Sequence, residues 1–124
     1  MTIEGLGFIT NCFAELGIPY EFMEWTQKVS FPFFVGEYSE NEPLNEDGLE
    51  EGMFLLTGTT TNNYMELESV KEQIKNYFGH DGITAILESG SAIAISYSTA
   101  FPIPTGEDGL RRIQINLNIK EWRC

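Results

Sequence analysis

The chain has 124 residues, 42% of them apolar and nine of them Phe, and carries a net charge of −12 from 19 acidic and 7 basic side chains. That length fits one domain, residues 1–124, whose single core needs no metal or disulfide. The charge repels nucleic-acid backbones, so sequence-specific DNA or RNA binding is not expected. The apolar runs, such as residues 53–56, are far too short to span a bilayer, so no membrane association is expected.

Residues 2–16 read as a helix. Thr2 is the N-cap, Leu6, Ile9, Phe13 and Leu16 recur at helical spacing, and Gly17 with Pro19 supplies the stop. Gly5 and Gly7 oppose it by up to about 1 kcal/mol each, so packing must hold this helix. Residues 20–25 and 31–38 read as strands. In the second, Phe31, Phe33 and Val35 share one face while Phe34 and Tyr38 share the other, which implies burial on both sides or one side given to another subunit.

The segment over about 39–52 is polar and punctuated by Pro43, Gly48 and Gly52, so we expect a long loop, either solvated or ordered in an assembly. Residues 37–51 hold seven acids (Glu37, Glu40, Glu42, Glu46, Asp47, Glu50, Glu51) and no Lys or Arg. Residues 53–61 read as a strand with Gly58 at a bulge or a close approach. Asn63 and Glu66 then fit a capping box for a second helix ending at Gly79. Its apolar stripe is Leu67, Val70, Ile74 and Tyr77/Phe78; Glu68–Lys71 and Glu72–Lys75 are i,i+3 pairs on its wet side.

Residues 83–88 and 92–100 form a hairpin across Ser89-Gly90-Ser91, with Ile93, Ile95 and Tyr97 on one face and Ala92, Ala94, Ser96 and Ser98 on the other. Pro102 and Pro104 should end the second of these strands. Residues 111–122 close the chain as a long half-buried strand. Ile113, Ile115, Leu117 and Ile119 alternate with Arg112, Gln114, Asn116, Asn118 and Lys120, and burying the four aliphatics contributes roughly 6–12 kcal/mol before entropy is subtracted. This order of elements predicts an α+β domain: a mostly antiparallel β-sheet with two α-helices packed on one face.

No residue set points to catalysis or to a cofactor. His80, the one histidine, lies between Gly79 and Asp81 in a turn and has no nucleophile or orienting group that the sequence can place beside it. It also lacks companions for a zinc or iron site, and Asn45, Asp47 and Glu50 lack the calcium-loop pattern. Gly5-Leu6-Gly7 and Gly106-Glu107-Asp108-Gly109 match no phosphate-binding loop. Cys12 and Cys124 have neither metal spacing nor a disulfide framework, and Cys12 reads as a buried thiol. Arg111 and Arg112 either flank the closing strand or pair with an acidic loop of a neighbouring subunit. The start, Met1-Thr2-Ile3-Glu4, has no signal-peptide pattern, so the cytoplasm is the expected compartment.

A resemblance adds to this. Phe33-Phe34-Val35-Gly36-Glu37-Tyr38, Leu56-Thr57-Gly58, Leu67-Glu68-Ser69-Val70-Lys71-Glu72-Gln73-Ile74, Ile83-Thr84-Ala85-Ile86-Leu87, Ile103-Pro104-Thr105-Gly106 and Arg112-Ile113-Gln114-Ile115-Asn116-Leu117 together resemble the head-tail joining, tail terminator or minor capsid proteins of tailed phages and prophages of Gram-positive bacteria. The likeness covers about residues 33–122 and brings no catalytic residues with it. It implies a non-enzymatic viral structural protein that forms a homo-oligomeric ring, a hexamer among the expected forms. Such a ring caps the tail tube and docks it to the head connector, in the host cytoplasm during assembly and then at the head-tail junction of the virion. The seven acids of residues 37–51, with Arg111, Arg112 and Lys120, are then the expected interface residues, and the acids could line a DNA channel. An acidic DNA mimic or other protein-binding module is the alternative reading, and an enzyme of unassigned chemistry the third.

Overall fold

The closing strand forms, and it lies at the centre of the sheet. In the computed structural model, which describes residues 1–40 and 49–122, the elements are α1 (Ile3–Glu15), β1 (Tyr20–Phe22), β2 (Phe33–Glu40), β3 (Leu49–Thr60), α2 (Met65–Phe78), β4 (Ile83–Ile86), β5 (Ala92–Ile103) and β6 (Arg111–Trp122). The six strands pair in the order β1-β2-β3-β6-β5-β4. Only the β1–β2 pair is parallel. The expected α+β class, with a mostly antiparallel sheet, is what the chain adopts.

Ladder register shows why β6 is central. It pairs along its whole length with β3, from Leu49↔Trp122 to Thr60↔Arg111, and over nearly all of it with β5. Its alternation is realised: Ile113, Ile115, Leu117 and Ile119 are all at most 2% exposed. They share their face with Phe34, Phe54 and Leu56 and with Ile95 and Tyr97, and this face meets Ile9, Cys12 and Phe13 of α1 and Leu67, Ile74 and Phe78 of α2 in one core. Both helices therefore cover the same side of the sheet.

Several expectations are changed or narrowed in detail. The loop expected over 39–52 is sheet at both ends, since β2 runs to Glu40 and pairs with Gly52, while β3 begins at Leu49 against Trp122. A strand with partners on both sides extends as far as its ladder bonds are supplied, whatever charge its wet side carries. Gly58 is a close approach and not a bulge. The β2–β3 register runs through it unbroken, and a Cβ there would lie 2.3 Å from the Phe34 ring. The irregularity falls instead in β5, where the register shifts between Tyr97 and Thr99.

Pro102 does not end β5, which continues to Ile103 opposite Arg112. β4 pairs only with Ala92 to Ile95, so β5 is an edge strand at Pro102, where a residue without an N–H is tolerated. The capping box forms in half: the Asn63 side chain accepts from the Met65 N–H at 2.9 Å, but Glu66 accepts from the Thr60 hydroxyl at 3.0 Å instead of reaching back. Of the two expected i,i+3 pairs, Lys71–Glu68 forms at 2.8 Å. It holds the Glu68 carboxyl below its usual range. Lys75 lies instead over the Tyr97 ring, 5.7 Å from its centroid.

α1 forms despite its glycines because its first turn is fixed by a distant residue. The Thr2 hydroxyl accepts from the Gly5 N–H at 2.9 Å, the expected cap. Glu121 of β6, only 3% exposed, accepts from the Thr2 hydroxyl at 2.6 Å and from its N–H at 3.1 Å. A Cβ on residue 5 would stand 2.8 Å from that carboxylate, so Gly5 makes room for it.

Tyr20 packs against Phe13, ring centroids 4.9 Å apart, and burial pushes its phenol up to about 12. An acid whose folded value is raised adds stability that is complete below its unfolded value near 10 and is lost as pH climbs through the folded value. The wild type should therefore lose stability between about pH 10 and 12 more steeply than Tyr20→Phe, as read from urea midpoints across that window. Equal slopes would contradict the assignment.

Candidate functional site: the open face of the sheet

The side of the sheet away from the helices carries the residues that alternate with the core. Across the ladders its rows are Phe33, Thr59, Arg112 and Ile103; then Val35, Thr57, Gln114 and Phe101; then Glu37, Leu55, Asn116 and Thr99. Next come Ser39, Met53, Asn118 and Ser96; then Glu51, Lys120, Ala94 and Thr84; and finally Leu49, Trp122, Ala92 and Ile86. Among the described residues no helix covers this side. Ile86 is 73% exposed, Phe101 45% and Trp122 38%.

The polar side chains in the middle of the face are tied to one another. Gln114 donates to the Asn116 carbonyl at 2.9 Å, Asn116 donates to the Thr99 hydroxyl at 3.1 Å, and Arg112 Nε donates to the Thr59 hydroxyl at 3.3 Å. Asn116 is buried by its neighbours although it lies on the wet side. These bonds tie the side chains to one another, so the face is pre-formed.

At the Arg112 end the face is walled by aromatics. Trp25 and Phe31 pack on Phe33 with centroids 5.2 and 5.8 Å away. The loop that brings Trp25 there is pinned by Glu21, whose carboxylate accepts from the Thr26 hydroxyl at 2.6 Å and its N–H at 2.9 Å. Those two bonds, hydroxyl first, hold the Glu21 carboxyl below its usual range. Phe33, Val35, Glu37, Thr57, Thr59 and Arg112 enclose a depression of about 270 Å³. On its other flank Arg112, with Arg111, Leu110, Pro102, Pro104 and Tyr64, borders a second groove of about 270 Å³.

The expected interface residues do not form one surface. Glu42, Glu46 and Asp47 lie outside the described residues. Glu37 and Glu51 are exposed on the open face. Glu40 and Glu50 fall on the helix side, where Glu40 pairs with the Met1 amino group and Glu50 lies in register with Glu121. Arg111 and Arg112 start β6, and Arg111 donates to the Gly109 carbonyl at 3.3 Å. Lys120 lies eight residues along β6 from Arg112 and opposite Glu51. β6 has no free edge for a neighbour to meet, because β3 and β5 occupy both sides.

His80 packs edge-on against Tyr97, 5.5 Å between centroids. Cys12 is buried in the core, which raises its thiol pKa. Among the described residues no group of three or more His, Cys, Asp or Glu side chains converges as a metal site, and no helix is long and apolar enough to cross a membrane. No family model matches the chain, and no curated protein matches it in sequence.

Proposed function

We propose that the chain is a non-enzymatic structural protein of virion assembly: a ring-forming tail terminator or head-tail joining protein that caps a tail tube and docks it to the head connector. It would act in the host cytoplasm during assembly and remain at the head-tail junction of the virion. The resemblance of residues 33–122 supports this reading. The observation that carries it is the open face, over which no helix lies among the described residues and on which Ile86, Phe101 and Trp122 are exposed. Trp122, Ala92 and Ile86 adjoin in one row, and an exposed apolar patch of this kind marks a protein interface. The charged side chains in the rows of that face, Arg112, Lys120, Glu37 and Glu51, balance, so it holds no basic patch for a phosphate backbone and suits another protein better.

Tail tubes assembled without this protein provide the test. Added in purified form, it should bind tube tips as one ring per end and stop further growth, as seen by electron microscopy. Tubes that lengthen unchecked with bare tips would contradict the proposal.

A further inference from the structure

A groove at one end of the sheet carries cations without acids. It is lined by Tyr64, Pro102, Pro104, Leu110, Arg111 and Arg112 and, among the described residues, by no carboxylate. Glu107 and Asp108 of the adjoining β5–β6 turn are exposed and do not line it. Among the described residues neither arginine makes an ion pair. Arg111 donates to the Gly109 carbonyl and Arg112 to the Thr59 hydroxyl, so both guanidinium groups are placed, and each keeps further N–H donors for a carboxylate. The turn itself is fixed: the Thr105 hydroxyl donates to the Leu110 carbonyl at 2.9 Å and accepts from the Glu107 N–H at 3.2 Å. Binding to a pre-formed groove of this kind costs little ordering.

The stretch Glu42-Pro43-Leu44-Asn45-Glu46-Asp47 has the opposite character, three carboxylates with no Lys or Arg and Leu44 as an apolar anchor. It starts and ends at the other end of the sheet. Glu40 before it is level with Ile119 of β6 through Gly52, and Leu49 after it lies opposite Trp122. Those positions stand seven and ten residues along β6 from Arg112, about 24 and 34 Å at the rise of a strand. The chain from Glu40 to Leu49 extends at most about 32 Å in all, far too short for a path out to the groove and back. The three acids therefore cannot enter the groove of their own copy.

We infer that the groove takes residues 42–47 of a second copy. The carboxylates of that stretch meet Arg111 and Arg112, and its Leu44 enters among Pro102, Pro104, Leu110 and Tyr64. Charge selects this pairing, because groove on groove and stretch on stretch both set like charges together. The apolar lining keeps water from the charge pairs, the setting in which such pairs contribute most to affinity. This docking rests on the ring reading, which it deepens: a contact between two different ends of the molecule runs head to tail and closes when the rotation per subunit allows it.

Charge reversal and its repair test the docking. One variant combines Arg111→Glu with Arg112→Glu, and a second combines Glu42→Lys, Glu46→Lys and Asp47→Lys. Each should weaken self-association at least about tenfold in sedimentation equilibrium, with unchanged circular dichroism. In an equimolar mixture every groove finds a stretch of opposite charge, so association should recover to within about threefold of wild type. Arg111→Gln with Arg112→Gln should fall between, which separates a lost contact from a fold defect. Self-association that survives either reversal, or a mixture as weak as its components, would overturn the docking while leaving the ring reading intact. Loss of tube binding by an arginine variant that still self-associates would assign the groove to another protein's acids and overturn it. Wild-type protein that stays monomeric at every concentration, alone and on tubes, would overturn the ring reading and the docking together.

Discussion

Replacing Phe54 with alanine is expected to lower the unfolding free energy by about 3–5 kcal/mol, read as a fall in the urea midpoint at unchanged slope. The ring is fully buried at the junction of β3, β2 and α1. Its centroid lies 5.9 Å from Phe13 and 6.1 Å from Tyr20. It also fills the space over Gly36, where a Cβ would come within 2.3 Å of it. No side chain can collapse into that volume from the glycine side, so the cavity stays open and the cost belongs at the upper end of the range. A domain of this size has about 5–15 kcal/mol in all, so the loss is about a fifth of its stability or more. Phe54→Leu should cost about 1–2 kcal/mol, since it keeps most of the volume. A midpoint unchanged in Phe54→Ala would mean that α1 does not pack as described.

Removing the Glu121 carboxylate has the second largest expected effect. Glu121→Ala should cost about 3 kcal/mol, because a buried carboxylate accepting from both the N–H and the hydroxyl of Thr2 leaves those donors unsatisfied when it goes. The loss is local as well as global. Thr2 caps α1 through Gly5, and the carboxylate also complements the positive end of the helix, so amide exchange in the first turn should speed up before the core opens. Glu121→Gln, which retains an acceptor, should recover more than half of the stability. First-turn exchange equal to wild type in Glu121→Ala would contradict this role.

Glu121 shows where the sequence was and was not legible. The alternation of residues 113–119 predicted the dry face of β6 correctly, and continuing it by one step puts residue 121 on that same face. A charged residue in a buried register was the available signal, but its partner lies 119 positions away and no local pattern can name it. Both helices, the Thr2 cap and the side of the sheet they cover follow from periodicity and caps, which are local. Strand order does not: the central place of β6 and the edge position of β5 at Pro102 depend on which long strands pair.

The candidate site was legible in part for the same reason. Arg112 and Lys120 were recognised as one polar row, but only the ladder shows that they stand at opposite ends with Glu51 across from one and Thr59 across from the other. The acids of residues 37–51 read as one charged segment by count. Their described members divide between the two faces, because alternation assigns Glu37 and Glu51 to one side and Glu40 and Glu50 to the other.

Native mass spectrometry of the wild-type protein, alone and with tail tubes, across a range of concentrations, tests the central claim most directly. A ring-forming protein should give one closed oligomer of more than two subunits and no larger series. Monomers that persist at every concentration and in the presence of tubes, or an open-ended ladder of masses, would contradict it.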